Sequence, residues 1–227
     1  MEIIAVLAEE LGIKKQQAEA AVKLIDEGNT IPFIARYRKE ATGALNDEVL
    51  RNLYDRLNYL RNLEEKKEQV INSIEEQGKL TEDLKAQILA AETMVVVDDL
   101  YRPYRPKRRT RATIAKEKGL EPLANIISLQ MTDQPLEVTA EEYINAEKEV
   151  NTAEEAIEGA KDIIAEFISD EADYRMYIRT LTMKKGRITS TAKDKEAESV
   201  YEMYYEFDDA LAKLAGHRVL ALNRGEA

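Results

Sequence analysis

Apolar residues return every third or fourth position along almost the whole chain, which is the spacing of one buried helix face. Ile3, Ile4, Val6, Leu7 and Leu11 predict a short amphipathic helix closed by Gly12, and Ala18, Ala21, Val22 and Ile25 a second closed by Gly28. Two helices around a glycine resemble a helix-turn-helix, although a plain helical hairpin leaves the same pattern. Thr30 with Pro32 predicts a third helix through Tyr37, and Gly43 ends that piece. From Asp47 to Gln77 no Gly or Pro intervenes, Asn46 is placed to cap, and Leu50, Leu53, Leu57, Leu60, Ile71 and Ile74 form a stripe. A helix of that length spans about 46 Å. The stripe lapses between Glu64 and Glu68, so the charged middle is expected to face solvent or to bridge two packed regions.

Gly78 stops this element, and Thr81 opens a helix to about Ala91. Met94 to Leu100 reads as helical and ends where Arg102 and Arg105 precede Pro103 and Pro106, because a residue before proline is pushed out of the α region. The next segment is therefore expected to be an extended loop. Thr110 predicts a helix closed by Gly119, and Glu121 with Pro122 one to about Leu129. Thr132 to Val138 is the most linker-like stretch. Thr139 to Glu142 and Thr152 to Glu155 both match a capping box, the second followed by a face of Ile157, Ala160, Ile164 and Phe167. Asp170 is placed to cap a helix through about Met183. Gly186 to Thr191 and Tyr201 to Phe207 suit strands, and helix resumes from Asp208. The expected fold is all-α, a multi-helix bundle with one long central helix and a small β-hairpin near residues 186–207. Two regions are expected, 1–131 and 139–227.

Composition agrees with helix: 34% of the 227 residues are charged, and there are nine Gly and five Pro. With no Cys and one His, His217, neither a disulfide frame nor a cysteine or histidine metal cluster can be assembled. The N-terminus carries acids where a secretory signal needs positive charge, and no apolar run approaches a membrane span. A cytoplasmic protein with no membrane partner is expected.

The net charge of −11 is unevenly spread. Glu137 to Glu171 holds twelve acids against Lys148 and Lys161, whereas "DLYRPYRPKRRTR" places six cations between Arg102 and Arg111 without an acid. Without those six the remainder carries −17, so a nucleic-acid footprint must be local. Tyr101 and Tyr104 interleave with Arg102, Arg105, Lys107, Arg108, Arg109 and Arg111, which combines phosphate neutralisation, guanidinium forks and aromatic faces. The same cations could instead pair with acids of neighbouring helices and fasten the loop to its own domain. The residues leave both readings open. Arg36, Arg38 and Lys39 form a smaller cluster around Tyr37, and Lys184, Lys185 and Arg187 a third.

Neither GxGxxG nor a P-loop occurs, and the string Asp170-Glu171-Ala172-Asp173 follows no P-loop, so it reads as acids at a helix start. Asp98 and Asp99 are adjacent on a helix, which points them in different directions. No active site, catalytic residue, cofactor or small-molecule substrate is expected.

The strings "TIPFIARYRKEATGAL", "LEEKKEQVINSIEEQGKLT", "DLYRPYRPKRRTRATIAKEKGLEPLA" and "HRVLALNRGE" closely resemble the N-terminal region of the bacterial Tex family of transcription accessory proteins, in the same order over nearly the whole chain. The resemblance implies a helical part of a longer protein that continues with an RNase H-like module, helix-hairpin-helix motifs and an oligonucleotide-binding fold. It implies nucleic-acid binding, RNA or DNA, mainly through those later modules, and no catalytic residues to carry over. On this reading the chain is a helical scaffold with the basic loop as an auxiliary polyanion contact. The alternative is an interaction module that docks other domains or the transcription machinery and uses the loop for internal salt bridges.

Overall fold

The computed structural model describes residues 2–130 and 133–226. The chain divides into two compact units, 1–104 and 105–227.

The described residues of the first unit form six α-helices, α1 (Ile3–Leu11), α2 (Lys15–Asp26), α3 (Ile31–Tyr37), α4 (Asp47–Glu76), α5 (Glu82–Ala90) and α6 (Met94–Tyr101), and a 3₁₀ turn at Arg102–Tyr104. The long helix α4 starts where Asn46 Oδ1 accepts the Val49 N–H at 2.9 Å, and thirty residues without a breaker carry it about 45 Å. Its stripe serves two cores in succession. Leu50, Leu53, Leu57 and Leu60 pack with Leu7, Ala18, Ala21 and Ile34 of α1 to α3. Leu63, Val70 and Ile74 pack with Ile88 of α5 and Val97 of α6. Tyr59 joins the two and accepts the Met94 N–H at 3.1 Å, at the start of α6. Gly12, at φ +62°, turns the chain between α1 and α2 in a conformation that costs a side-chain-bearing residue about 1 kcal/mol.

Two bidentate pairs fasten α4 from outside, Arg56 to Glu10 of α1 at 2.6 Å and Arg61 to Asp26 of α2 at 2.8 Å. Hydrogen bonds from these guanidinium groups hold both carboxyls below their ordinary range.

The gap in the α4 stripe is not a solvent face. Lys67 lies at its centre, 2% exposed, with Nζ 2.9 Å from both Glu64 Oε1 and the Leu89 carbonyl. That carbonyl is among the last four of α5, which no intrahelical N–H reaches, so α4 caps α5 with a buried cation.

The second unit contains α7 (Arg111–Glu117), α8 (Glu121–Leu129), α9 (Leu136–Glu141), α10 (Ala153–Asp170), α11 (Ala172–Lys185), β1 (Arg187–Thr191), β2 (Glu206–Ala210) and α12 (Gly216–Glu226). Its core gathers Ala112, Ala115, Leu120, Leu123, Ala140, Val150, Ala156, Ala160 and Ile163 around α10. Small residues on α7 and α10 let the two axes approach closely.

Several local expectations shift here. The strand expected over Tyr201 to Phe207 lies at Glu206–Ala210, preceded by a 3₁₀ turn at Glu202–Tyr204. The antiparallel register sets Arg187 opposite Ala210 and lets its side chain reach Asp208 at 2.7 Å, so cross-strand pairing overrides the low strand propensity of the acids. Helix resumes at Gly216, not Asp208. Thr139 is no cap: Pro135 begins α9 four residues earlier, and the buried Thr139 bonds back to the Pro135 carbonyl at 3.5 Å. Thr152 does cap α10, accepting the Glu155 N–H at 3.2 Å. The buried face of α10 is Ala156, Ala160 and Ile163, and Phe167 is exposed. Asp170 closes α10, and Glu171 stands before α11. Of the linker-like stretch, residue 132 lies outside the described residues, and α9 begins by Leu136.

Candidate nucleic-acid interface

The basic segment is not extended throughout. Arg102–Tyr104 continues α6 as a 3₁₀ turn, and the irregular stretch begins at Arg105. Tyr101 shares a 2.9 Å hydrogen bond with Ser73 of α4, and the Tyr104 carbonyl accepts from Gln77 Nε2 at 3.0 Å. Both tyrosine rings are partly buried against the core of α4 and α6, so they serve packing first. Arg102 and Arg105 are exposed.

In the second unit the cations sort themselves. Lys107 turns inward: its side chain is 28% exposed, hydrogen-bonds Asp170 and lies 3.4 Å from Glu166, both on α10. Arg109 reaches Glu117 of α7 at 2.8 Å but keeps 68% of its side chain exposed. Arg111, the first residue of α7, lies 3.4 Å from Asp162 while 86% exposed. Arg108 is exposed and has no carboxylate partner among the described residues. Thr110 fixes the exit by accepting the Thr113 N–H at 3.0 Å, which starts α7. Lys107 thus pins the segment to α10, and Arg108, Arg109 and Arg111 present guanidinium groups to solvent.

Lys107 and Arg108 consequently predict opposite outcomes. Lys107→Ala removes one cation from the nearly buried Asp170 and from Glu166 and is expected to cost about 1–2 kcal/mol, discounted for partial exposure. That corresponds to a fall in Tm of roughly 3–6 °C for a chain of this length. Arg108→Ala is expected to move Tm by no more than about 1 °C. Thermal unfolding followed by circular dichroism checks both, and equal shifts would refute the division of roles.

In the first unit, Arg36, Arg38 and Lys39 are exposed around the C-terminus of α3, where cations are favoured by the helix dipole. The Arg38 guanidinium sits 5.3 Å from the Phe33 ring, itself 5.3 Å from Tyr37. Lys184 and Lys185 occupy the last turn of α11. Asp98 and Asp99 diverge: Asp98 faces Lys66 at 3.4 Å, whereas Asp99 is buried.

What the sequence reading missed is the set of partners. Glu158, Asp162, Glu166 and Asp170 recur every fourth residue along α10, a line of acids on one helix face. That spacing was the available signal, and two of its members hold Lys107.

Residues 1–75 match the family model of the Tex-like protein N-terminal domain, and residues 131–227 match that of the Tex central region-like family. The chain belongs to the Tex family. The YdcI protein of Bacillus subtilis is 51% identical over 223 residues, which is 97% of this chain and 31% of that protein. The transcriptional accessory protein Tex of Neisseria gonorrhoeae is 44% identical over 99% of this chain and 30% of its own length. The human S1 RNA-binding domain-containing protein 1 is 28% identical over 99% of this chain and 23% of its length. The chain therefore spans less than a third of these relatives. Among the described residues of this Tex-family chain, no helix is long and apolar enough to cross a membrane.

Proposed function

We propose that this Tex-family chain is a helical scaffold within a nucleic-acid-binding transcription accessory protein, and that Arg108, Arg109 and Arg111 make an auxiliary contact with a phosphate backbone. The observation that carries the reading is their outward presentation on a segment that Lys107 ties to α10. The pairs to Glu117 and Asp162 are exposed, so each is worth under about 1 kcal/mol and is open to exchange for phosphate. A pinned loop also loses little entropy on binding. The names of the gonococcal and human relatives, transcriptional accessory and RNA-binding, support the ligand class. The role is one of binding, in the cytoplasm, with no chemical step and no cofactor.

Three phosphate contacts to a single strand give a log–log salt slope of roughly −2. Fluorescence anisotropy with labelled single-stranded RNA and DNA at low salt is expected to show that slope. A variant with Arg108, Arg109 and Arg111 all changed to Ala is expected to lose most of it. Superimposable titrations of the two proteins would remove these residues from the interface.

The Lys107 contacts favour a second reading, an interaction module in which the segment acts as an internal clamp. Under that reading the triple variant with Lys107→Ala added melts several degrees lower with unchanged affinity; under the first, affinity falls in the triple variant itself and its Tm holds.

A further inference from the structure

Lys107, Arg109 and Arg111 meet carboxylates of their own unit, but Arg36, Arg38 and Lys39 at the end of α3 meet none among the described residues. A chain of net charge −11 holds acids in excess, so three neighbouring cations without one are open to an outside anion. An aromatic pair stands among them. Tyr37 is 62% exposed, its ring centroid lies 5.3 Å from that of Phe33 at a tilt of 46°, and the Arg38 guanidinium sits 5.3 Å from the same Phe33 ring. Phe33 therefore contacts both neighbours, while Tyr37 keeps most of its surface in water. The dipole of a seven-residue helix accounts for a cation at its C-terminus, but not for an exposed ring beside it.

The backbone that carries these groups is held in place. The Thr42 N–H, in a fully buried residue, donates to the Arg38 carbonyl at 3.1 Å, and the Ala44 N–H to the Lys39 carbonyl at 2.7 Å. Gln17 Nε2 of α2 donates to the Gly43 carbonyl at 2.9 Å, and a Cβ at Gly43, whose φ is +61°, would stand 2.8 Å from that nitrogen. Little ordering of this turn is left for a ligand to impose. Cations for phosphate beside an open aromatic face for a base make a single-strand platform. We propose that Tyr37 stacks an unpaired base of a single-stranded nucleic acid, with Arg36 and Lys39 on adjoining phosphates and Arg38 bracing the Phe33 ring against which Tyr37 packs. An acidic protein surface would satisfy the cations and leave the ring unused. The inference rests on the nucleic-acid-binding reading above, but it adds a separate contact on other residues, so the two can fail independently.

Fluorescence anisotropy with a labelled single strand at low salt tests it in the 227-residue chain and in the variant with Arg108, Arg109 and Arg111 changed to Ala, whose residual binding isolates this platform. Two phosphate contacts give that residual binding a log–log salt slope of roughly −1.4. Tyr37→Ala is expected to weaken it about tenfold at an unchanged slope, and Tyr37→Phe to restore it. Arg36→Ala combined with Lys39→Ala is expected to abolish the slope. On an abasic strand of the same length Tyr37→Ala is expected to have no effect. Circular dichroism confirms that each variant retains its helix content. Residual binding that is absent, or indifferent to Tyr37→Ala, overturns the platform and leaves the contact at Arg108, Arg109 and Arg111 standing. An equal loss on base-bearing and abasic strands, or a loss of helix content, makes Tyr37 a structural residue and overturns it too. So does polyglutamate that displaces the strand as well as unlabelled strand does, which assigns the patch to an acidic protein surface. A wild-type chain that binds no strand at low salt overturns both contacts.

Discussion

Lys67→Ala is expected to destabilise the first unit by about 4 kcal/mol, whereas Lys67→Met costs about 1 kcal/mol. The alanine variant removes a side chain's volume from a site that is 2% exposed, which for buried Met or Leu costs about 2–5 kcal/mol. It also takes the ammonium hydrogen bond from the Leu89 carbonyl at the end of α5, a further loss of about 1 kcal/mol, since Leu89 is itself 54% exposed. Methionine restores the volume between Leu63 and Val70 and still leaves the carbonyl without that bond. In exchange it relieves the desolvation of a buried ammonium, a replacement that is often near neutral. Glu64 is 30% exposed and solvates itself when its partner leaves. Urea unfolding followed by far-ultraviolet circular dichroism measures both. Should methionine prove as damaging as alanine, the Nζ contacts rather than the aliphatic stem hold α5 to α4.

Lys67 also marks where reading the chain in one dimension stops. The ends of α4 were visible, because Asn46 is an N-cap residue and Gly78 a terminator, and so was the leucine stripe. A lysine amid Glu64, Glu65, Lys66 and Glu68 reads as solvated. What buries it is a carbonyl twenty-two residues later, brought back by the turn into α5. The basic segment behaves likewise. Its charge density, its prolines and the cap at Thr110 are local, and all were legible. The division between an inward Lys107 and outward arginines depends on acids of α10, some sixty residues on. Local propensity was weakest where partners decide: β2 contains Asp208 and Asp209 and becomes a strand because β1 pairs with it. α11 was visible as a helix opened near Asp170 and running to about Met183, but its stripe of Tyr174, Tyr177, Ile178 and Leu181 went unread, and a sequence does not say that such a face is left exposed.

Gly159→Val is expected to cost the second unit about 3 kcal/mol, and the reason reaches the basic segment. Gly159 lies on α10 where α7 and α8 cross it. A Cβ there would stand 2.3 Å from Leu120 Cδ1 and 3.4 Å from Ala115 Cβ. Leu120 is 1% exposed but shares with Gly159 and Ala115 the lining of an open cleft of about 310 Å³, so its Cδ1 end can swing part of the way and the overlap that is left costs about 1–3 kcal/mol. Gly159→Ala separates packing from propensity. Alanine in a helix interior is intrinsically favoured over glycine by about 1 kcal/mol, yet the first clash applies to it as well, so the net effect in the wild type is destabilising. In a Leu120→Ala background the obstructing Cδ1 is gone, and the same change is expected to stabilise by about 1 kcal/mol. A double-mutant cycle by urea unfolding reads this reversal of sign; the same sign in both backgrounds would show that α10 does not need its glycine for close approach. The spacing of α7 and α10 also sets the distance from Arg111 to Asp162, 3.4 Å here. A valine that forces the helices apart therefore lengthens that pair and frees Arg111. The variant is expected to be less stable while binding a single strand at least as well, a combination that an affinity arising from the scaffold as a whole would not produce.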